Sequence, residues 1–198
     1  PAVGSLSQLV PLIYGAYSQL GSMPSIFLGH SNGALIAYSL LCELSTTQLA
    51  MVKHWIISAK PAPHIKHPVQ RHALSDQALL QELARFGGTP SDVLQHPELM
   101  RALLPIVRAD FSISETYQVE NSLREKNKAR LKMPVSLWWG EQDSLVDVEH
   151  VLAWQEYVSV SCEAAAFEGD HFYILNKHNG VIAKLNRLLQ EIVFKHIN

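Results

Sequence analysis

The chain has 198 residues, 47% of them hydrophobic and 17% charged, enough apolar side chain for one sizeable core and too much for a disordered segment. Sixteen Lys and Arg against 18 Asp and Glu leave a formal net charge of −2, without the cationic excess that nucleic-acid binding needs to displace counterions. Cys42 and Cys162 are too few for a disulfide framework, and no apolar run approaches the roughly 18 residues that span a bilayer, so neither a secreted scaffold nor a membrane protein is expected. Pro1 to Leu9 shows no basic stretch followed by an apolar one, and a reducing cytoplasm fits best.

Leu6, Leu9, Val10, Ile13, Tyr17 and Leu20 recur at helical spacing, closed by Gly21, with Pro11 an awkward residue near the start. Ser25-Ile26-Phe27-Leu28 is a short apolar strand ending at Gly29, and Ala34, Leu35, Tyr38, Leu41 and Cys42 then mark a helix from Ser31. His54 to Ser58 reads as a second strand, halted by Pro61 and Pro63. From Ser75 the periods are helical. Ser75 is the expected cap of a helix carrying Leu79, Leu80, Leu83 and Phe86, stopped by Gly87-Gly88. Thr89-Pro90 and His96-Pro97 each look like an N-cap followed by proline, with Pro105 expected to kink the second run. Residues 72 to 118 therefore form a helical insertion. Asn121 to Lys132 is polar and reads as a surface loop before a third strand, Val135 to Trp139, on which Trp138 and Trp139 face opposite sides as core packing. Val148 to Tyr157 suits a helix, Glu163 to Phe167 a fourth strand and Val181 to Phe194 a closing helix. Strands alternating with helices predict an α/β class with a mostly parallel sheet covered on both faces.

The chemistry sits at strand ends. Gly29-His30-Ser31-Asn32-Gly33 matches Gly-x-Ser-x-Gly between a strand and a helix, the context in which a strained turn projects a serine hydroxyl above the sheet. Such a serine needs a histidine to take its proton and a carboxylate to orient that histidine, in the chain order Ser, acid, His. Trp139-Gly140-Glu141-Gln142-Asp143 follows the third strand and Glu168-Gly169-Asp170-His171 the fourth. The assignments are Ser31 as nucleophile, Asp143 as orienting acid and His171 as general base, with Glu141, Asp147 and Asp170 read as solvated loop carboxylates. His30 is expected to pack or hydrogen-bond within the turn, and His64-Ile65-Lys66-His67 to be a surface loop rather than a zinc pair. The backbone N–H of Asn32 is one expected oxyanion donor; the residues before Ser25 offer no strand to carry a second, which leads us to expect that the natural protein has an N-terminal piece beyond this sequence, with further strands.

These residues carry a resemblance. Gly29-His30-Ser31-Asn32-Gly33-Ala34, Ser58-Ala59-Lys60-Pro61-Ala62-Pro63, Phe86-Gly87-Gly88-Thr89-Pro90, Pro97-Glu98-Leu99 through Leu104-Pro105, Arg108-Ala109-Asp110-Phe111 with Glu115-Thr116-Tyr117, and Gly169-Asp170-His171-Phe172 together resemble the type II thioesterases of the α/β-hydrolase superfamily. Asn32 stands where that family usually has methionine. The resemblance implies a triad of Ser31, Asp143 and His171 under a helical lid of about residues 72 to 118. The implied substrates are acyl groups on the phosphopantetheinyl thiol of carrier proteins in nonribosomal peptide or polyketide synthesis, routes to antibiotics and siderophores. It implies no metal and no dissociable cofactor, the phosphopantetheine arm coming with the substrate, and a monomeric enzyme. A fatty-acyl carrier-protein hydrolase, a general carboxylesterase and a catalytically silent carrier-binding protein remain alternatives. Arg124, Lys126, Lys128, Arg130 and Lys132 are a solvated linker on the simplest reading and a docking patch for an acidic carrier on the other.

Overall fold

The computed structural model describes residues 2–66, 68–117, 121–176 and 178–197. Helix α1 (Leu6–Ser18) precedes strand β1 (Ser25–His30), helices α2 (Asn32–Glu43) and α3 (Thr46–Met51), and strand β2 (Val52–Ser58). A helical stretch follows, with α4 (Asp76–Phe86), α5 (Ser91–Leu94), α6 (Pro97–Thr116) and α7 (Asn121–Arg130). Strand β3 (Val135–Gly140), helix α8 (Val148–Leu152), strand β4 (Cys162–Phe167) and helices α9 (Tyr173–Asn176) and α10 (His178–Ile197) complete it. The four strands pair in chain order, β1-β2-β3-β4, all parallel. This is the α/β class with a parallel sheet that the alternating pattern predicts, and it fits the α/β-hydrolase fold that the resemblance implies.

Two clusters cover the two faces of the sheet, and strand alternation decides which residue goes where. On one face Trp55, Ile57, Val135 and Leu137 meet Leu35, Tyr38 and Leu41 of α2, Leu6 and Val10 of α1, and Trp154 and Tyr157. On the other, Ile56 and Trp138 meet Tyr173, Val181 and Leu188. Trp139 packs against the first cluster and Trp138 lies in the second, so the adjacent tryptophans do face opposite sides. A third cluster, Leu79 and Leu83 of α4 with Met100 and Leu104 of α6, belongs to the helical stretch alone.

Several local expectations need correction. The polar run after Asn121 is helix α7 rather than a loop, because its end is tied down from afar. The Arg130 guanidinium donates to the carbonyls of Cys42 and Leu44, and Leu131 and Met133 are buried just beyond. Helix α5 begins at Ser91, one residue later than Thr89-Pro90 suggests, since Pro90 has an extended ψ of 142° and is itself the cap. Helix α6 runs unbroken through Pro105, whose missing N–H falls on an exposed face. Helix α3 was not anticipated; Ser45 and Gln48 form a reciprocal capping box at its start. The Val148 to Tyr157 segment is α-helical only to Leu152 and continues as a 3₁₀ turn.

Candidate active site

The carboxyl ends of the parallel strands meet at one place. Ser31 follows β1 directly with φ 51° and ψ −124°, outside the ordinary regions for a residue with a side chain. The turn is held there by Ser31 N–H donating to the Ser58 carbonyl at 2.8 Å, while His30 registers against Ser58 on β2. Gly29 is obligatory: a Cβ there would fall 2.4 Å from the Gly33 carbonyl oxygen. Gly33 is different, since a Cβ there meets nothing within 4 Å, so of the two motif glycines it is Gly29 whose place the packing explains.

At the end of β3, Asp143 is fixed before any partner is considered. Its Oδ1 accepts from the N–H groups of Leu145 at 2.8 Å and Val146 at 3.2 Å, a local turn that aims Oδ2 at His171 Nδ1, 2.8 Å away. The carboxylate side chain is 1% exposed. Nδ1–H of His171 donates to it, which leaves Nε2 as the basic nitrogen. The loop carrying His171 lies close against the end of β3: a Cβ on Gly140 would sit 2.4 Å from the Asp170 carbonyl oxygen. Gln142, which sequence reasoning passed over, ties the two loops together, its Oε1 accepting from Gly169 N–H and its own N–H donating to the Gly169 carbonyl. Of the competing carboxylates, Glu141 is exposed, Asp147 pairs loosely with His150 at 3.5 Å, and Asp170 accepts from the Phe172 N–H as a turn cap.

His30 fills the space behind. Its Nδ1 is 2.8 Å from Ser58 Oγ, which in turn bonds the Tyr173 hydroxyl, and its ring centroid is 5.1 Å from that of His171. Burial lowers its pKa to about 4, and the neighbouring His171 pushes it the same way, so the ring is neutral at physiological pH. His64 stacks on Tyr157, whose hydroxyl is 3.1 Å from its Nδ1, and His67 lies outside the described residues. Among the described residues no group of three or more His, Cys, Asp or Glu is placed to hold a metal ion.

Ser31 and His171 open into one cavity of about 400 Å³, roofed by Phe86, Val107 and Phe111 from the helical stretch. The roof is anchored by Glu115, whose side chain is 2% exposed and accepts from the Arg71 and His72 N–H groups and from His72 Nδ1. Arg108 donates to the carbonyls of His72 and Leu74 and pairs with Asp76. On the other side, a Cβ on Gly88 would overlap the Phe172 ring, so the turn after α4 rests on the residue next to His171.

Residues 1–189 match the thioesterase domain family. The chain belongs to that family. It is 34% identical over 171 residues to the gramicidin S biosynthesis protein GrsT of Aneurinibacillus migulanus, covering 86% of this chain and 64% of that protein. It is 28% identical over 188 residues to the human medium-chain S-acyl fatty acid synthase thioesterase, covering 93% of this chain and 68% of that one. Among solved structures, YbtT, a type II thioesterase from the yersiniabactin biosynthetic pathway, superimposes with a TM-score of 0.81 at 27% identity, over 96% of this chain and 76% of its own. The chain spans between half and about two thirds of the length of the first three curated relatives it matches. Ser31, Asn32, Asp143 and His171, the site residues expected from sequence, lie together at this one strand-end site.

Proposed function

We propose that this chain is the hydrolytic part of an editing thioesterase, releasing acyl groups from the phosphopantetheinyl thiol of carrier proteins in nonribosomal peptide or polyketide synthesis. One observation carries the reading: a buried, pre-aimed Asp143–His171 pair shares a roofed cavity with a serine held in a strained strand-to-helix turn. Ser31 is the nucleophile, His171 Nε2 takes its proton, and Asp143 stabilises the imidazolium that results. The Ser31 alkoxide adds to the thioester carbonyl, and the Asn32 N–H, at the start of α2, stabilises the oxyanion. The pantetheine thiolate leaves with the proton from His171. Water, activated by the same nitrogen, then hydrolyses the acyl-enzyme. The chemistry asks for no metal or dissociable cofactor, since the arm arrives with the substrate.

Residues 72 to 118 act as a lid over the acyl site within a single hydrolase domain spanning 1–198, and the working form is a cytoplasmic monomer. Among the described residues no helix is long and apolar enough to cross a membrane. The similarity to a medium-chain fatty acid synthase thioesterase supports a second reading, hydrolysis of fatty-acyl carriers. The test compares release of an acetyl and an octanoyl group from loaded carrier protein with hydrolysis of free esters of the same acids. Preferential release of carrier-bound acetyl supports editing, preferential octanoyl release supports the fatty-acyl reading, and equal rates on free esters contradict both.

A further inference from the structure

One charged group in the cavity has no part in the triad. Lys60 is 5% exposed, and the Glu115 carboxylate, already shared by Arg71 and His72, acts on its ammonium only through space, with no direct ion pair to Lys60 among the described residues. Its Nζ donates to Asn32 Oδ1 at 3.0 Å and to Ser114 Oγ, both neutral oxygens. An ammonium has three N–H donors, so the described contacts leave one unused. Keeping a cation out of water on two neutral acceptors costs free energy unless a further acceptor arrives. Burial lowers the lysine's pKa to about 8, which leaves it mostly protonated near neutrality.

Its placement is not incidental. Ala59, immediately before it, has φ 48°, the other non-glycine residue with positive φ besides Ser31 among the described residues. Strain of that kind persists where the surroundings enforce it, and here the Ala59 N–H is held by the Trp138 carbonyl and the Lys60 carbonyl by Trp154 Nε1. The lysine reaches Asn32, the residue after the nucleophile, whose Nδ2 donates to the Asp110 carbonyl on α6 at 2.7 Å. Lys60 therefore lies one side chain from the reacting serine. A phosphate of the pantetheine arm lies at the far end of that arm from the thioester, so the oxygens within reach of this ammonium are the arm's amide carbonyls, common to every substrate, and any oxygen on the acyl chain, which alone varies between substrates.

We propose that Lys60 is a specificity-determining residue that selects acyl chains carrying a hydrogen-bond-accepting oxygen near the thioester, the 3-oxoacyl class above all, over plain alkyl chains of equal length. This rests on the thioesterase reading for its substrates, and the test separates the two. Acetoacetyl-pantetheine and butyryl-pantetheine have the same carbon chain and differ by one carbonyl oxygen. Their binding to the Ser31→Ala chain, where turnover is blocked, is measured by calorimetry, with and without Lys60→Met. The expected preference for acetoacetyl is about tenfold or more, the scale of one charge-assisted hydrogen bond, and it falls to near one in Lys60→Met. Lys60→Gln, should the methionine variant unfold, is expected to reduce the ratio as well. Absence of a preference in the Lys60 protein, or an equal preference in the variants, overturns the proposal. A lysine-dependent preference in a chain that releases no acyl group from any carrier would retain the lysine site and refute the thioesterase reading.

Discussion

The strand-end site and the helical roof above it are built by different physics. The site is held by backbone: parallel strand ends, a Ser31 N–H on the Ser58 carbonyl, an Asp143 turn closed by its own carboxylate, and glycines where a Cβ would collide. The roof has its own small hydrophobic cluster and is fastened by side chains, with Glu115, Arg71, His72 and Arg108 linking its two ends. Its ties to the strand ends combine polar contacts, Asn32 to Asp110 and Lys60 to Ser114, with apolar ones, Ile113 of α6 in the cluster on the first sheet face and the Gly88 turn against Phe172. The contrast teaches that a rigid reaction centre and a separately stabilised cover can share one cavity, because stability is not uniform across a fold.

The largest effect is expected at the rigid centre. Asp143→Asn keeps the shape of the turn but presents an amide to His171 Nδ1, favouring the wrong tautomer, and turnover is expected to fall about 10⁴-fold with little change in stability. A loss of tenfold or less, measured on purified variant with an unchanged melting curve, would contradict the assigned role of Asp143.

A smaller effect separates the two regions directly. Glu115→Gln keeps one acceptor oxygen and puts an NH2 donor where the other now receives either the Arg71 or the His72 N–H, at a cost of about 2 kcal/mol. Hydrogen exchange should speed up through residues 71–116 and stay unchanged in β2 and β3. Equal acceleration in the strands would show that roof and sheet unfold together, against the comparison drawn above.

The smallest effect is a pH dependence rooted in the sheet. His30 refuses a proton until about pH 4, whereas the unfolded chain takes one up near 6.5, so stability falls as pH drops through that window. Between pH 7.5 and 5.5 the expected loss is about 1 kcal/mol, from the ordinary value of the pKa-to-energy conversion. His30→Gln should flatten that slope in denaturant titrations relative to the wild-type chain. Parallel slopes would remove His30 as the source.

How much of this was legible in the sequence follows the same division. The four strands, the Ser31 turn and the strand-end placement of Asp143 and His171 are local patterns, written in apolar runs and the glycines beside them. Helix α7 was not legible because what fixes its end, Arg130 on the Cys42 and Leu44 carbonyls, is more than 80 residues away in sequence. Helix α3 had a visible signal in Ser45 and Gln48, and only its shortness hid it. Gln142, Ala59 and Lys60 act through tertiary contacts alone, so no spacing rule points to them. One member of the basic run, Arg130, has a structural part that the sequence did not show, tying the end of α7 to the Cys42 and Leu44 carbonyls.

The most direct test of the central claim is to mix the chain with acetyl-loaded carrier protein, quench within the first turnovers and map the acyl group by mass spectrometry. The account predicts an acetyl ester on Ser31 in the unaltered chain, formed far more slowly in His171→Gln because the same nitrogen serves both half-reactions, and absent in Ser31→Ala. Release of acetate with no acylated serine at any time, or release that survives Ser31→Ala, would contradict it.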